Sequence, residues 1–441
     1  MNKLTKTLLF ITITIAALNA QETLRELAAK INLNIGTCVG GTFYYNNEPQ
    51  YTEVMNREFN TLVAENEMKP DALHRDRGRP NFTTADRLID HAQKNNMKVR
   101  GHTLCWHAQN PGWISQNSWN RQQALEALNQ HISLIMDHFK GKVYQWDVIN
   151  ELWNDAQNPV MRTNNPWYAK IGEDFVDSAF VYAHRADPEA RLFYNDYNNS
   201  TINAKSTAMY NKIKKMVQNG VPIHGIGFQA HHTEPEWNDN FKNSLKENIE
   251  RFTDLGLEVV FTEVDVRITS PTDDQKLTNQ AKMYKAMLEA ALESKGTTTF
   301  VIWGFTDKHS WIPMTFSGTN DGLIFTRDYK KKPAYDSLAA VFLRAQENDV
   351  KSISKKAPSS IIINQNGSFL KVNLNSLNTG KASFMLYTMN GNLVKESSIQ
   401  AVSGQNSSYN FNVSNIANGF YLAKIFYNKD RLYQSKIMIL K

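Results

Sequence analysis

Between residues 21 and 345, apolar runs of strand type alternate with helical patterns, and this alternation limits the fold more than any single motif. The runs fall near residues 33–36, 61–64, 99–106, 143–150, 192–195, 225–229, 259–262 and 300–304. In the intervals, Ala124, Leu125, Leu128, Ile132, Ile135 and Met136 recur at three- and four-residue spacing. So do Ala281, Tyr284, Met287, Leu288 and Leu292, as expected for helices with one apolar face. Eight such units in about 320 residues fit an α/β fold, the (β/α)8 TIM barrel. A doubly wound open sheet is the alternative. No G-x-G-x-x-G turn follows an early strand, which weakens a dinucleotide-binding version of it.

The two ends have a different character. Residues 1–20 follow the plan of a secretory signal peptide, with Lys3 and Lys6, an apolar run from Leu8 to Leu18, and Ala20 before the cut. That run is shorter than the roughly 20 residues needed to cross a bilayer, so no membrane span is expected. Residues 346–360 read as a polar linker. Short β-type runs follow over 361–441, with Asn390-Gly391 as a hairpin signal, and predict a small C-terminal β-sandwich. The two cysteines, Cys38 and Cys105, lie in apolar runs and are expected to be buried free thiols.

Charge sharpens this division. The formal net charge is +6, but residues 1–20 contribute +2 and residues 351–441 contribute +9, leaving −5 for the centre. The basic excess belongs to the ends. No nucleic-acid partner is expected, because no basic cluster accompanies the central motifs.

In a barrel, chemistry collects at the C-terminal ends of strands. Those positions hold Glu65-Asn66-Glu67-Met68-Lys69, then His102, Trp106, His107 and Gln109, then Trp146 to Glu151, then Asn195 to Asn198. Further on come Gln229 to His232, Thr262 to Asp265, and Trp303, Asp307 and Trp311. Acids and amides suit the hydroxyls of a neutral polysaccharide, and indoles suit the apolar faces of its rings. Glu151 and Glu263 end the fourth and seventh runs. They supply the two carboxyls that glycoside hydrolysis requires.

These runs, in this order over about residues 24–343, resemble glycoside hydrolase family 10, the endo-β-1,4-xylanases. A closing Lys332-Pro333-Ala334-Tyr335 belongs to the same pattern. The resemblance implies Glu151 as acid/base and Glu263 as nucleophile of a retaining double displacement. It further implies that Asn150 bonds the sugar 2-hydroxyl, that His231 holds Glu263, and that Asp265 orients His231. Gln229 would sit beside the acid/base. Glu65, Asn66, Lys69, His102 and Gln109 would bond xylose units, and Trp106, Trp303 and Trp311 would wall their subsites. The run His231-His232-Thr233-Glu234 matches no zinc spacing, and neither metal nor cofactor is expected.

The tail resembles the C-terminal sorting domain of the type IX secretion system of Bacteroidetes. The resemblance rests on Leu386 to Gly391, Val413 to Ile425 and the basic-apolar end Ser435 to Lys441. It implies the export machinery as a partner and a secreted or surface-attached product. The expected enzyme is a monomeric endo-xylanase. An endo-β-glucanase and a non-catalytic polysaccharide binder are the alternatives.

Overall fold

The computed structural model describes residues 22–41, 47–356, 360–366, 368–375, 380–389, 391–401, 406–427 and 430–440. The expected signal peptide lies outside them. The chain divides into two units, one ending at Phe342 and one beginning at Leu343.

In the first unit, eight parallel strands close on themselves. They are β1 (Asn34–Val39), β2 (Thr61–Ala64), β3 (Lys98–Cys105), β4 (Gln145–Asn150), β5 (Arg191–Asp196), β6 (Gly225–Phe228), β7 (Glu258–Thr269) and β8 (Thr299–Ile302). Each pairs with its sequence neighbour, and β8 returns to β1 with Asn34 opposite Thr299 and Thr37 opposite Ile302. All four residues of β2, β6 and β8 are buried, because barrel strands are covered on both faces. The helix Arg121–Phe139 starts at a capping box between Asn120 and Gln123, which satisfies two of its free amides. Leu128, Ile132, Ile135 and Phe139 form its buried stripe. The helix Asp274–Glu293 is capped by the Asp273 side chain, which accepts the Lys276 amide. The expected barrel is therefore the observed one, and Cys38 and Cys105 are buried free thiols within it.

Two boundaries differ from expectation. β7 runs seven residues past Thr262, so Glu263 stands inside a continuous strand rather than at its end. The extension finds partners of its own. His231–Thr233 pairs with Asp265–Arg267 in parallel, and Thr319–Asn320 pairs antiparallel with Ile268 and Thr269. The helix Pro333–Lys356 also occupies most of the stretch expected as linker. Between residues 346 and 356 no glycine or proline interrupts it, and a polar composition alone does not stop a helix.

The second unit contains two antiparallel sheets. One orders β9 (Ser360–Asn366), β10 (Phe369–Asn375) and β13 (Asn406–Asn412). The other orders β12 (Leu393–Ala401), β11 (Gly380–Thr388), β14 (Gly419–Tyr427) and β15 (Asp430–Ile439). Leu370, Val372 and Phe411 of the first sheet share one core with Phe384, Leu386, Ala423, Ile425 and Ile439 of the second. Phe384 and Phe411 stack across it with centroids 4.3 Å apart. This is the small sandwich expected from the alternating tail.

Candidate active site

A cleft of about 640 Å³ opens over the C-terminal ends of the barrel strands. Glu65, Asn66, Lys69, His102, Trp106, Gln109, Asn150, Glu151, Gln229, His231, Glu263, Trp303 and Trp311 all line it. Asp265, the remaining expected residue, lies beneath the surface, bonded to two of the lining side chains.

The backbone makes sharp turns to deliver these groups. Gln109, Glu151, Asn198 and Ala230 have φ of 46°, 55°, 52° and 58°. Left-handed conformations cost non-glycine residues energy and cluster where function fixes them. Three of the four are cleft residues, and Ala230 separates Gln229 from His231.

Glu263 is held from several sides. Asn195 Nδ2 donates to its Oε1 at 2.8 Å, and His231 Nε2 lies 3.2 Å from its Oε2. His231 Nδ1 lies 2.9 Å from Asp265 Oδ2, which also accepts the Trp311 indole N–H at 2.8 Å. Burial alone would raise the Glu263 carboxyl. The charge of His102 and the bonds from His231 and Asn195 outweigh that and hold it below the ordinary value. Burial likewise disfavours charge on His231, but Asp265 and Glu263 push it up to about 10. At neutral pH an imidazolium therefore sits between two carboxylates.

Asn195 can turn only one way. Its Oδ1 accepts from Thr262 Oγ1 at 2.7 Å, leaving Nδ2 for Asn150 and Glu263. Gly227 leaves the space for this arrangement. A Cβ there would stand 2.2 Å from Asn195 Oδ1.

Glu151 is anchored more lightly. Trp106 Nε1 donates to its Oε2 at 2.8 Å and Gln229 Nε2 to its Oε1 at 3.1 Å. Gln229 Nε2 also reaches Asn150 Oδ1 at 3.2 Å, and that oxygen accepts from Asn195 at 2.9 Å. A chain of hydrogen bonds thus runs from one glutamate to the other through Gln229, Asn150 and Asn195. Within it, Asn150 Nδ2 is buried and has no partner among the described residues. A buried donor left this way is costly unless a ligand completes it.

The other polar lining residues form a second group. Lys69 Nζ and Gln109 Nε2 donate to Asn66 Oδ1 at 3.0 and 3.3 Å. Lys69 lies over the Trp106 ring at 5.0 Å. Burial lowers the Lys69 ammonium and raises the Glu65 carboxyl. His102 is gripped by Asp147 at 3.0 Å and meets Trp303 edge to face, with centroids 5.5 Å apart. Arg100 fixes Asp147 with two bonds from below.

Tyr197, Asn198, Glu236, Arg267 and Phe316 also line the cleft, although sequence reasoning gave them no role. Tyr197, Asn198 and the bridging Asn195 were visible within the run that ends β5. Arg267 comes from the extension of β7, which carried no local signal, and Phe316 from the loop after β8. His232 turns away from Glu151 and Glu263 to Ser200 and Glu236. Among the described residues no group of His, Cys, Asp and Glu is placed to hold a metal.

Residues 23–341 match the family described as glycosyl hydrolase family 10, and residues 364–440 match the secretion system C-terminal sorting domain. The chain is 41% identical over 314 residues to endo-1,4-beta-xylanase B of Thermotoga neapolitana, spanning 71% of this chain and 89% of that protein. It is 38% identical over 333 residues to endo-1,4-beta-xylanase 1 of Humicola insolens, spanning 74% and 76%. The crystal structure of native xylanase 10B from Thermotoga maritima superposes with a TM-score of 0.71 at 41% identity. It covers 74% of this chain and 99% of that one.

Proposed function

This chain belongs to glycosyl hydrolase family 10, and from that premise we propose that it is an exported endo-1,4-β-xylanase acting with retention of configuration. Glu263 is the nucleophile. It is ionised, buried and oriented at both oxygens, as a group that must attack along one line should be. Glu151 is the acid/base. In the first step its proton passes to the glycosidic oxygen as Glu263 forms a glycosyl ester and the leaving chain departs. In the second step Glu151 takes a proton from water, which displaces Glu263 and restores both groups.

The free Asn150 Nδ2 bonds the sugar 2-hydroxyl, where such a bond strengthens as positive charge develops on the ring. His231 holds Glu263, Asp265 and Trp311 hold His231, and Gln229 positions Glu151. Glu65, Asn66, Lys69, His102 and Gln109 bind the sugar units on the non-reducing side, against Trp106, Trp303 and Trp311. Residues 1–20 address the chain for export and the sandwich serves the secretion machinery, with catalysis confined to the barrel.

The observation that carries this reading is the pair of glutamates joined through Gln229, Asn150 and Asn195. Reducing-sugar release from xylan and from mixed-linkage glucan by the purified protein tests it. Release from xylan is expected. Activity on glucan with none on xylan would make the chain an endo-β-glucanase, and release from neither would make it a binding protein.

A further inference from the structure

Among the described residues, one cation of the cleft belongs to neither of the two hydrogen-bonded groups described above. Arg267 lines the cleft beside Phe316 and Glu236. Its guanidinium lies over the Phe316 ring, 4.3 Å from the centroid, and that ring meets Trp311 edge to face at 5.3 Å. The side chain is therefore fixed by a continuous aromatic wall that begins at the catalytic centre. Among the described residues, no hydrogen bond or salt bridge engages its guanidinium.

Glu236, the acid lining this part of the cleft, feels the Arg267 charge but makes its hydrogen bonds elsewhere. Glu236 Oε2 is 2.6 Å from His232 Nδ1, and its Oε1 accepts the Thr233 amide at 3.2 Å. Other cleft cations have partners: Lys69 is bonded to Asn66, and His231 lies between Asp265 and Glu263. A guanidinium placed over a ring still has N–H donors available to a carboxylate. A neutral sugar chain offers it no such anion.

We infer that Arg267, seated on Phe316, forms a subsite for a carboxylate-bearing substituent, a uronic acid branch, on the polysaccharide in the cleft. This rests on the xylanase reading above and extends it to the class of xylan preferred. The subsite adds binding without taking part in bond cleavage. Its placement two residues beyond Asp265 on the same face of β7 ties the branch to the register of the main chain over Glu263.

The test compares kcat/KM on a uronic acid-substituted xylo-oligosaccharide with that on the unsubstituted oligosaccharide of equal length. It is run for wild type, Arg267→Gln and Arg267→Lys. The expected result is that the acidic-to-neutral ratio falls about fivefold or more in Arg267→Gln and by less in Arg267→Lys. That is the size of a charge-assisted contact still open to solvent. A ratio within twofold of wild type in Arg267→Gln would overturn the inference. In wild type, the same ratio should drop as salt rises from about 0.02 to 0.5 M. A salt-independent ratio would overturn it whether or not the variants fold. Failure of wild type on both oligosaccharides would instead count against the xylanase reading.

Discussion

His231 Nε2 stands 3.2 Å from Glu263 Oε2, and the imidazole that makes this contact is a cation at neutral pH. Asp265 makes it so from the other side, at 2.9 Å from Nδ1. The Glu263 carboxyl is therefore held below its ordinary value although it is buried. Replacing His231 by asparagine should lower kcat/KM on xylan by about 10²-fold, as loss of one preorganised donor does elsewhere. A change under threefold would show that His231 is a bystander.

The same group makes stability depend on pH. Its proton affinity in the folded chain is raised from 6.5 to about 10. The stabilisation is therefore complete below about 6.5 and is lost as pH rises through about 10. The Tm advantage of wild type over His231→Asn should shrink between pH 6 and 10. An advantage that holds constant or widens over that range contradicts the assignment of charge.

Asn150 has a free buried donor waiting in the cleft. Asn150→Ala should lose about 10²-fold in kcat with KM little changed, because a bond to the 2-hydroxyl matters most in the transition state. On an aryl 2-deoxyglycoside the variant should lose much less. Equal losses on both substrates would assign Asn150 to structure alone.

The two glutamates should differ in their dependence on the leaving group. Glu151→Ala should be slowed by about 10³-fold on xylan but only weakly on an aryl glycoside whose phenolate leaves without a proton. Glu263→Ala should be inactive on both. The reverse pattern would exchange their roles.

The barrel was legible in the sequence because buried parallel strands are short, apolar and separated by helices of recognisable period. Glu151 and Glu263 were legible for the same reason, since each follows an apolar run directly. The extension of β7 beyond Glu263 was not, because it depends on pairing with His231–Thr233 and Thr319–Asn320, which are distant in sequence. The role of Asn195 depends on the space left by Gly227 and on the Thr262 hydroxyl. Arg267 and Phe316 come together only through that same extension and the loop after β8.

Gly227 should accordingly act at a distance. A methyl group there would push on Asn195 Oδ1 from 2.2 Å, displacing the amide that serves both Asn150 and Glu263. Gly227→Ala should cost about 1–3 kcal/mol of stability as an overpacked core site and at least tenfold in kcat. A folded variant with unchanged kcat would show that the amide can relax without loss.

The pairing of Glu151 with Glu263 in a double displacement is tested most directly by the configuration of the first product. Proton NMR during the first turnovers on a xylo-oligosaccharide resolves the new reducing end before it equilibrates. The account predicts the β-anomer, the configuration of the bond that was cut. Initial release of the α-anomer would mean a single displacement by water and would contradict Glu263 as nucleophile.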